Sequence, residues 1–400
     1  MQPHSIYIHI PFCRHRCSYC DFNTYVGIDN LIPSYIQAIC LEISYIAQIS
    51  DQKIPVRTIF FGGGTPSILP VDEICKVLDQ VNRNYFLLDE AEISLEANPG
   101  SLSYEYLRSL REAGVNRISL GMQSANRHEL ILLDRRHAYY QIAESVGHVR
   151  RAGFKNLNLD LIYGIPHQTL RDWCSSLKLA ISLEPDHLSL YSLTLEPGTS
   201  LNSWVSRGLL PEPDDDLSAE MYEIASELAE AKGFEQYEIS NWARREKSGD
   251  LLACQHNLQY WRNHSYLGFG AGAHGYAGGK RTTNVLTPGE YIQRIRSWEK
   301  EASLNELSFP GSPAAESVTL INREEEIKET MMMGLRLTQE GISRESFQDR
   351  FGVPVDSVFE QQIQELIAAG LLEWDPKTRK TLRLTRKGRI LGNQVFIRFI

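Results

Sequence analysis

Residues 6–22 read IYIHIPFCRHRCSYCDF and join a short apolar run to three closely spaced cysteines. The apolar run at residues 6–10 predicts a buried strand, which Pro11 ends because proline cannot continue the hydrogen-bonded ladder of a strand. The polar and cysteine-bearing residues that follow are therefore expected to form a loop at the carboxyl end of that strand.

The three cysteines are Cys13, Cys17 and Cys20, in CxxxCxxC spacing. Their three thiolates are one fewer than the four ligands that close a structural zinc site or a common iron–sulfur site. A [4Fe–4S] cluster held by three cysteines leaves one iron open to another ligand, and the spacing favours this interpretation. Two alternatives stay open: a zinc site completed by His9 or His15, and cysteines that cluster without a metal.

Length and composition describe an ordinary globular protein. The chain has 400 residues, of which 42% are hydrophobic, so two or three domains are expected. The net charge of −9, without a prominent basic run, argues against nucleic acid as the main partner. Of the seven cysteines, three are bunched near the start, a pattern that favours a reducing compartment and a metal site over disulfides.

No targeting signal is evident in the sequence. The first five residues, MQPHS, do not lead into a long apolar segment, so we expect no signal peptide. No run of about 18 apolar residues is present, so no membrane-spanning helix is expected. These observations predict a cytoplasmic location, and peripheral contact with a membrane stays open.

Apolar strands alternate with amphipathic helices through the first half of the chain. Strands are predicted at residues 6–10, 58–61, 92–96, 117–121, 156–161 and 187–191, and helices at residues 32–46, 71–82, 104–113, 140–152 and 170–183. Because we interpret the strands as apolar rather than strictly alternating, both of their faces are expected to be buried, as in a parallel α/β sheet or barrel. In such folds the active site lies at the carboxyl ends of the strands.

Chemically distinctive residues fall at those strand ends. They are the three cysteines, Gly62-Gly63-Gly64, Glu96 with Asn98, Gln123, Asp160 and Tyr191. A glycine run lets a backbone approach a ligand closely, although it also suits a tight turn. A carboxylate that ends an apolar strand needs a partner or a cleft, although Glu96 could instead lie on the surface.

The types of these residues suggest a composite ligand. Carboxylates and amides suit ribose hydroxyls and an ammonium group, and an arginine of the segment Arg135-Arg136-His137 suits a carboxylate. The same basic segment could also be a solvated face. Together these groups could hold a nucleoside joined to an amino acid.

The cysteine motif with Tyr19, the glycine run and the strand-end acids resemble the radical S-adenosylmethionine enzymes over about residues 5–245. The resemblance implies an α/β fold built as a partial (β/α)6 TIM-type barrel. It also implies that Cys13, Cys17 and Cys20 ligate a [4Fe–4S] cluster whose open iron binds the amino and carboxylate groups of S-adenosylmethionine. An electron donor would then reduce the cluster, and cleavage of the sulfonium would give a 5′-deoxyadenosyl radical.

Within this superfamily the chain is similar to the oxygen-independent coproporphyrinogen III oxidase group. The shared features are Tyr7, GGGTP at residues 62–66, Glu96, LGMQS at residues 120–124 and DLIYGIP at residues 160–166. The resemblance implies that three residues touch S-adenosylmethionine: Tyr7, Gly63 and Glu96. Six residues match positions that hold a second molecule in the decarboxylating enzymes: Tyr19, Gly64, Thr65, Gln123, Arg135 and Asp160. Whether a second molecule binds this chain stays open.

Two features separate the chain from those oxidases. The oxidases continue the cysteine motif as CxxxCxxCxC, whereas Phe22 stands at the last position here. Residues 255–261, QHNLQYW, resemble the HNxxYW element of the heme chaperones of the HemW type, relatives that bind heme and are thought to pass it to hemoproteins. His256 is then a candidate axial ligand for heme iron, with Tyr260 and Trp261 as stacking surfaces. A packed core histidine is the alternative.

Three functions follow from this comparison of motifs. The first is a heme chaperone that carries a [4Fe–4S] cluster and S-adenosylmethionine, binds heme and transfers it to client hemoproteins. The second is a radical enzyme that decarboxylates the propionates of coproporphyrinogen III. The third is a zinc-stabilised binding protein. The chain is expected to be a monomer or a dimer.

The remainder of the chain is less distinctive. Residues 234–242 predict one strand, and the glycine-rich residues 267–275 predict a loop that could approach a nucleotide. From residue 323 to 400, helices at 324–337, 344–351 and 356–369 precede a hairpin at 370–385, the order of a C-terminal α+β winged-helix-like domain. Since this part lacks a dense basic helix, docking or a lid is favoured over DNA binding. The predicted domains are residues 1–245, 246–322 and 323–400.

Overall fold

The computed structural model describes residues 2–301 and 308–400, except for the side chains of residues 299–301. Compactness divides the chain into two units. The first is Met1–Met221 with Ser265–Leu320, and the second is Tyr222–His264 with Ile321–Ile400. The division into three domains stays a prediction, because compactness assigns residues 246–264 to the second unit and residues 265–320 to the first.

The strands and α-helices are numbered here in chain order. The strands are β1 (His4–Ile10), β2 (Phe12–Cys13), β3 (Tyr25–Val26), β4 (Pro55–Gly63), β5 (Phe86–Ala97), β6 (Arg117–Gln123), β7 (Asn156–Tyr163), β8 (His187–Ser192), β9 (Phe234–Glu238), β10 (Asn241–Arg244), β11 (Tyr266–Phe269), β12 (His274–Ala277), β13 (Lys280–Asn284), β14 (Ala315–Leu320), β15 (Ile342–Ser343), β16 (Leu372–Trp374) and β17 (Thr381–Leu384). The helices are α1 (Ile32–Gln48), α2 (Val71–Asn84), α3 (Tyr104–Glu112), α4 (Arg127–Leu132), α5 (Tyr139–Arg151), α6 (Leu170–Ser182), α7 (Ser200–Ser206), α8 (Asp215–Glu230), α9 (Gln255–Trp261), α10 (Pro288–Glu301), α11 (Arg323–Gly334), α12 (Arg344–Phe351), α13 (Val355–Val358), α14 (Glu360–Ala368), α15 (Arg386–Ile390) and α16 (Gly392–Phe396).

The first unit is built on a sheet whose central strands are parallel. Strands β1, β4, β5, β6, β7 and β8 lie side by side in that order, and each neighbouring pair is parallel. Helices α1, α2, α3, α5 and α6 connect them in sequence. The prediction of six parallel strands alternating with helices is therefore confirmed. Because all six strands run the same way, their carboxyl ends meet at one edge of the sheet.

The glycine-rich segment predicted as a loop is a strand followed by a turn and a second strand. Strand β11 pairs parallel with β1, and β12, β13 and β14 continue the sheet in antiparallel pairs. Small residues are needed at these positions because the neighbouring strands approach each other closely. A Cβ on Gly268 would lie 1.9 Å from the carbonyl oxygen of His274. The loop prediction was wrong because glycine marks close backbone approach within a strand as well as turns.

The second unit contains a hairpin where one strand was predicted. Strands β9 and β10 are antiparallel, and the chain reverses at residues 239–240. The Glu238 carboxylate stabilises the reversal, because it accepts hydrogen bonds from the backbone N–H of Ser240 (2.8 Å) and from the side chain of Asn241. The prediction of a single strand at residues 234–242 was therefore wrong in its continuity.

The C-terminal part of the second unit has the predicted winged-helix order. Strands β15, β17 and β16 form a three-stranded antiparallel sheet beside helices α11, α12 and α14. The helix predicted at residues 356–369 is instead two helices, α13 and α14, because Phe359 leaves helical geometry at φ −127° and ψ 31°. Among the described residues, no helix is both long and apolar enough to cross a membrane.

Candidate functional site

A cavity of about 390 Å³ opens at the carboxyl ends of the parallel strands in the first unit. It is lined by most of the site residues expected from the sequence: Cys13, Cys17, Tyr19, Cys20, Gly63, Gly64, Thr65, Glu96, Gln123, Arg135 and Asp160. All except Arg135, which lies between α4 and α5, come from the loop after β1 and from the ends of β4, β5, β6 and β7. The expectation that strand ends assemble one site therefore agrees with the geometry.

Two expected residues lie elsewhere. Tyr7 is on β1 but does not line the cavity. Its ring stacks on Phe60 with 6.3 Å between the ring centres, and its hydroxyl lies 3.1 Å from Nδ1 of His9. His256 belongs to the second unit, on helix α9. Phe22, which stands where the oxidases have a further cysteine, is 61% exposed and does line the cavity.

The glycine run brings the end of β4 against the cysteine loop. The backbone N–H of Gly64 donates to the carbonyl of Ile10 at 2.8 Å. A Cβ at residue 64 would lie 2.7 Å from the carbonyl oxygen of Phe12 and 3.0 Å from Sγ of Cys13. Only glycine fits this position without displacing the loop, so the glycine run holds Cys13 at the cavity wall.

A chain of polar contacts links two of the cysteines. Sγ of Cys13 lies 3.5 Å from the hydroxyl of Thr65, which accepts a 3.0 Å hydrogen bond from Nδ2 of Asn98. Oδ1 of Asn98 accepts from Nη2 of Arg135 at 2.6 Å, and Nη1 of Arg135 donates to Sγ of Cys17 at 3.5 Å. The network places polar groups against two sulfurs, and the contact with Thr65 partly offsets the burial that raises the pKa of Cys13.

Two carboxyl groups face the cavity in an environment that disfavours negative charge. Burial and the nearby carboxylate of Asp160 raise the pKa of Glu96 to about 8, although the backbone N–H of Gly63 donates to it at 3.2 Å. Burial likewise raises the pKa of Asp160, despite hydrogen bonds from Ser119 and Asn158. A cationic ligand in the cavity would favour the ionised form of both acids, because a nearby positive charge offsets the cost of burying a negative one.

The cavity also contains a strained backbone position. Gln123, the last residue of β6, has a positive φ of 62°, a conformation that side-chain-bearing residues seldom adopt. Such outliers cluster at ligand sites, where the surrounding fold holds them. The strained backbone therefore indicates a ligand site at Gln123, independently of the hydrogen-bonding capacity of its amide.

Sequence reasoning missed several residues of the cavity wall. They are Ser119, Ser192, Thr194 and Glu196. The last three lie at or after the carboxyl end of β8, so the strand-end rule that found Asp160 could have found them too. Ser119 is on β6, and its hydroxyl donates to Asp160 at 3.0 Å, a contact that no local sequence signal reveals.

His256 is buried in the second unit, with 1% of its surface exposed. Its Nε2 lies 3.0 Å from the hydroxyl of Tyr260, one helical turn later, and the two rings meet edge to face. Trp261 stacks beneath the guanidinium of Arg336, 4.4 Å from the ring centre. The two aromatic residues expected as open stacking surfaces thus already have protein partners in this conformation.

The cysteine wall fits the donor set of an iron–sulfur cluster. Cys13 is buried and Cys17 and Cys20 are half-buried, and all three thiol groups line the same cavity. Soft thiolate ligands in a pocket with an open side suit iron–sulfur chemistry. In the part of the chain that the structure describes, no three His, Cys, Asp or Glu side chains form a ready site for a single metal ion. The cluster ligands therefore stay a prediction.

Family models match both ends of the chain. The model of the radical SAM superfamily matches residues 7–180, and the model of the HemN C-terminal domain matches residues 321–391. The first match covers strands β1 to β7 with most of the cavity wall. The second covers most of the winged-helix-like part.

Full-length relatives extend these matches. The chain is 41% identical over 398 residues to the heme chaperone HemW of Bacillus subtilis, covering 99% of both chains. It is 39% identical over 344 residues to the heme chaperone HemW of Synechocystis, covering 84% of this chain and 79% of the relative. The solved structure of coproporphyrinogen III oxidase HemN from Escherichia coli superposes with a TM-score of 0.81 at 24% identity, over 99% of this chain and 90% of that one. That likeness shows a shared fold.

Proposed function

Because this chain belongs to the HemW family of the radical SAM superfamily, we propose that it is a heme chaperone, which binds heme and transfers it to client hemoproteins. The observation that carries the proposal is the 41% identity to a heme chaperone over 99% of both chains. The aromatic helix α9 with His256 supports it, because a neutral imidazole is a suitable ligand for heme iron.

We assign the cavity of the first unit to a [4Fe–4S] cluster and S-adenosylmethionine. The cluster would be held by Cys13, Cys17 and Cys20. It would deliver an electron after an electron donor has reduced it. The raised pKa values of Glu96 and Asp160 support a cationic ligand, and S-adenosylmethionine carries both a sulfonium and an ammonium group. Gly63 and Gly64 would leave room for that ligand, and Gln123 would orient it through its amide.

The second unit would receive heme through His256. In the present conformation this histidine is buried against Tyr260, so heme binding requires the pair to separate or the helix to move. Phe22 supports the chaperone over the oxidase, since the decarboxylating enzymes carry a cysteine at that position. The 24% identity to the oxidase structure shows the fold alone and does not favour decarboxylation. We place the protein in the cytoplasm, where thiolate ligands stay reduced.

The test is an anaerobic heme titration of the cluster-reconstituted full chain beside His256→Ala. The matched control is His264→Ala, which removes another histidine of the second unit. We expect about one heme per chain for the wild type and the control, and loss of that site in His256→Ala, read from the visible absorption of the bound heme. Equal binding by all three proteins would contradict the assignment of His256.

The same preparation tests the oxidase alternative. Coproporphyrinogen III is incubated with the reduced, S-adenosylmethionine-loaded protein, and vinyl-bearing products are followed by chromatography. We expect no turnover above a Cys17→Ala control. Turnover that depends on the cysteines would replace the chaperone with the enzyme as the principal function.

A further inference from the structure

A second cavity, of about 280 Å³, lies in the first unit beside the candidate cluster site. It shares a wall with the larger cavity, since residues such as Cys17, Asn98 and Arg135 line both. Arg14, Ser67 and Arg136 line the second cavity and not the first. The second cavity therefore has side chains of its own, which the assignment of the first cavity to the cluster and S-adenosylmethionine does not use.

The charged side chains around this second cavity are mostly positive. Three guanidinium groups line it, those of Arg14, Arg135 and Arg136, against one carboxylate, that of Asp134. That carboxylate is already engaged, because it lies 2.7 Å from Nε2 of His15. The excess of positive charge is local, since the whole chain carries a net charge of −9. Guanidinium groups in excess over acids are the arrangement that binds carboxylates and phosphates.

One of the two histidines of the wall, His137, does not alter this charge. Burial and the nearby Arg135 lower the pKa of His137 to about 4, so this ring is neutral near pH 7. Its Nε2 donates to the carbonyl of Met122 at 3.1 Å. The other histidine, His15, lies between Nη2 of Arg136 (3.2 Å from Nδ1) and the carboxylate of Asp134, and the positive charge of the cavity comes from its three arginines.

Two buried donors in the wall lack partners among the described residues. The hydroxyl of Ser67 is buried and forms no hydrogen bond, and Ser67 as a whole is only 9% exposed. Nε of Arg135 is also buried and without a hydrogen bond, although both terminal nitrogens of that guanidinium are used. Unsatisfied buried donors are costly, and an acceptor in the cavity would satisfy them.

We propose that this second cavity is a binding site for a small oxyanion, a carboxylate or phosphate group, separate from the site for S-adenosylmethionine. Arg14 and Arg136 are exposed and supply charge, and Ser67 supplies a buried hydroxyl donor. The volume of about 280 Å³ suits a small metabolite or one anionic arm of a larger ligand. An anion bound there would lie next to Cys17 and Arg135 and would change the electrostatic potential at the cysteine loop.

The experiment is isothermal titration of the anaerobically purified, cluster-reconstituted full chain with inorganic phosphate and, separately, with succinate. Ionic strength is held constant with chloride, and each titration is repeated with saturating S-adenosylmethionine. The variants are Arg14→Ala/Arg136→Ala and Ser67→Ala. The control is Arg57→Ala/Arg108→Ala, which removes two exposed arginines that do not line either cavity.

We expect one saturable site with a Kd of about 1 mM or tighter, unchanged by S-adenosylmethionine and by the control substitutions. The double variant should weaken binding about tenfold, and Ser67→Ala several-fold, because each removes donors to the oxyanion. Tighter binding of phosphate indicates a phosphate ester as the natural ligand, and tighter binding of succinate indicates a carboxylate. Absence of saturable binding of either probe overturns the proposal. So does equal binding by the double variant, or displacement of the anion by S-adenosylmethionine, which would place it in the first cavity.

Discussion

The hydrogen bond between Nε2 of His256 and the hydroxyl of Tyr260 occupies a ring nitrogen that could bind heme iron. Tyr260→Phe keeps the ring and removes the hydroxyl that contacts this nitrogen. A net hydrogen bond is worth about 1 kcal/mol, so we expect heme to bind roughly three- to tenfold more tightly. Competitive titration against apomyoglobin measures the change. Weaker binding by Tyr260→Phe would instead show that the hydroxyl orients the imidazole for the iron.

Glu96 makes the stability of the first unit depend on pH. Its pKa is raised from 4.5 to about 8, so the folded chain prefers the protonated acid. The protonated acid therefore contributes to the free energy of unfolding in full below about pH 4.5, and this contribution is lost as the pH rises through about 8. Glu96→Gln stays neutral throughout. Its advantage in the free energy of unfolding over the wild type should therefore grow with pH, by at most about 1.4 kcal/mol per unit.

Urea unfolding at pH 5.5, 6.5 and 7.5, without S-adenosylmethionine, measures this difference. Parallel pH profiles for the wild type and Glu96→Gln would show that Glu96 is ionised in the folded chain. The same variant should bind S-adenosylmethionine more weakly, because glutamine cannot ionise and so cannot pair with a cationic ligand.

Asn98 joins the contacts of Cys13 to those of Cys17. Its amide donates to Thr65 and accepts from Arg135, so Asn98→Ala breaks the chain of contacts at its middle. Residues that orient metal ligands typically contribute a factor of 10 to 100 in affinity, and we expect about tenfold faster loss of the cluster to a chelator. The decay of visible absorption under anaerobic conditions measures it. Asn84→Ala, on helix α2, is the control, and equal decay in both variants would remove Asn98 from the cluster environment.

Among the secondary-structure elements, the central parallel strands could be predicted from the sequence, but the strands that extend the sheet beyond β1 could not. Apolar runs such as residues 58–61, TIFF, indicate strands buried on both faces, so the number and order of the strands followed from the sequence. The rule that strand ends form the site then brought Glu96 and Asp160 together. Strand β11 was missed because Gly268 is required by contact with His274, which only the folded chain reveals. The sequence left open whether His256 is buried, because burial depends on packing rather than on local pattern.

Helix α1 is tied to the β11 edge of the sheet by one buried carboxylate. Glu42 accepts hydrogen bonds from the backbone N–H of Gly270 (3.0 Å), from Nδ2 of Asn284 (2.8 Å) and from the hydroxyl of Tyr291 (2.6 Å). Glu42→Ala would remove the acceptor of three buried donors, of which Nδ2 of Asn284 keeps a second acceptor, the carbonyl of Gly270, at a cost of about 3–5 kcal/mol in the free energy of unfolding. Glu42→Gln should lose less, because its amide oxygen still accepts. Urea unfolding at pH 7 compares the two, and equal losses would show that side-chain volume rather than hydrogen bonding matters.

At the scale of the whole molecule, the proposed ligands belong to different compact units, the cluster with S-adenosylmethionine to the first and heme to the second. A ligand stabilises the structure that it contacts, so each should slow hydrogen exchange mainly in its own unit. We expect S-adenosylmethionine to protect the ends of β4, β5, β6 and β7 in the cluster-loaded chain. Heme should instead change exchange in α9, where His256 must leave its contact with Tyr260 to bind iron. Hydrogen exchange followed by mass spectrometry resolves the two. Protection of the strand ends by heme, with α9 unchanged, would place heme in the large cavity and favour a porphyrin substrate over a chaperone's cargo.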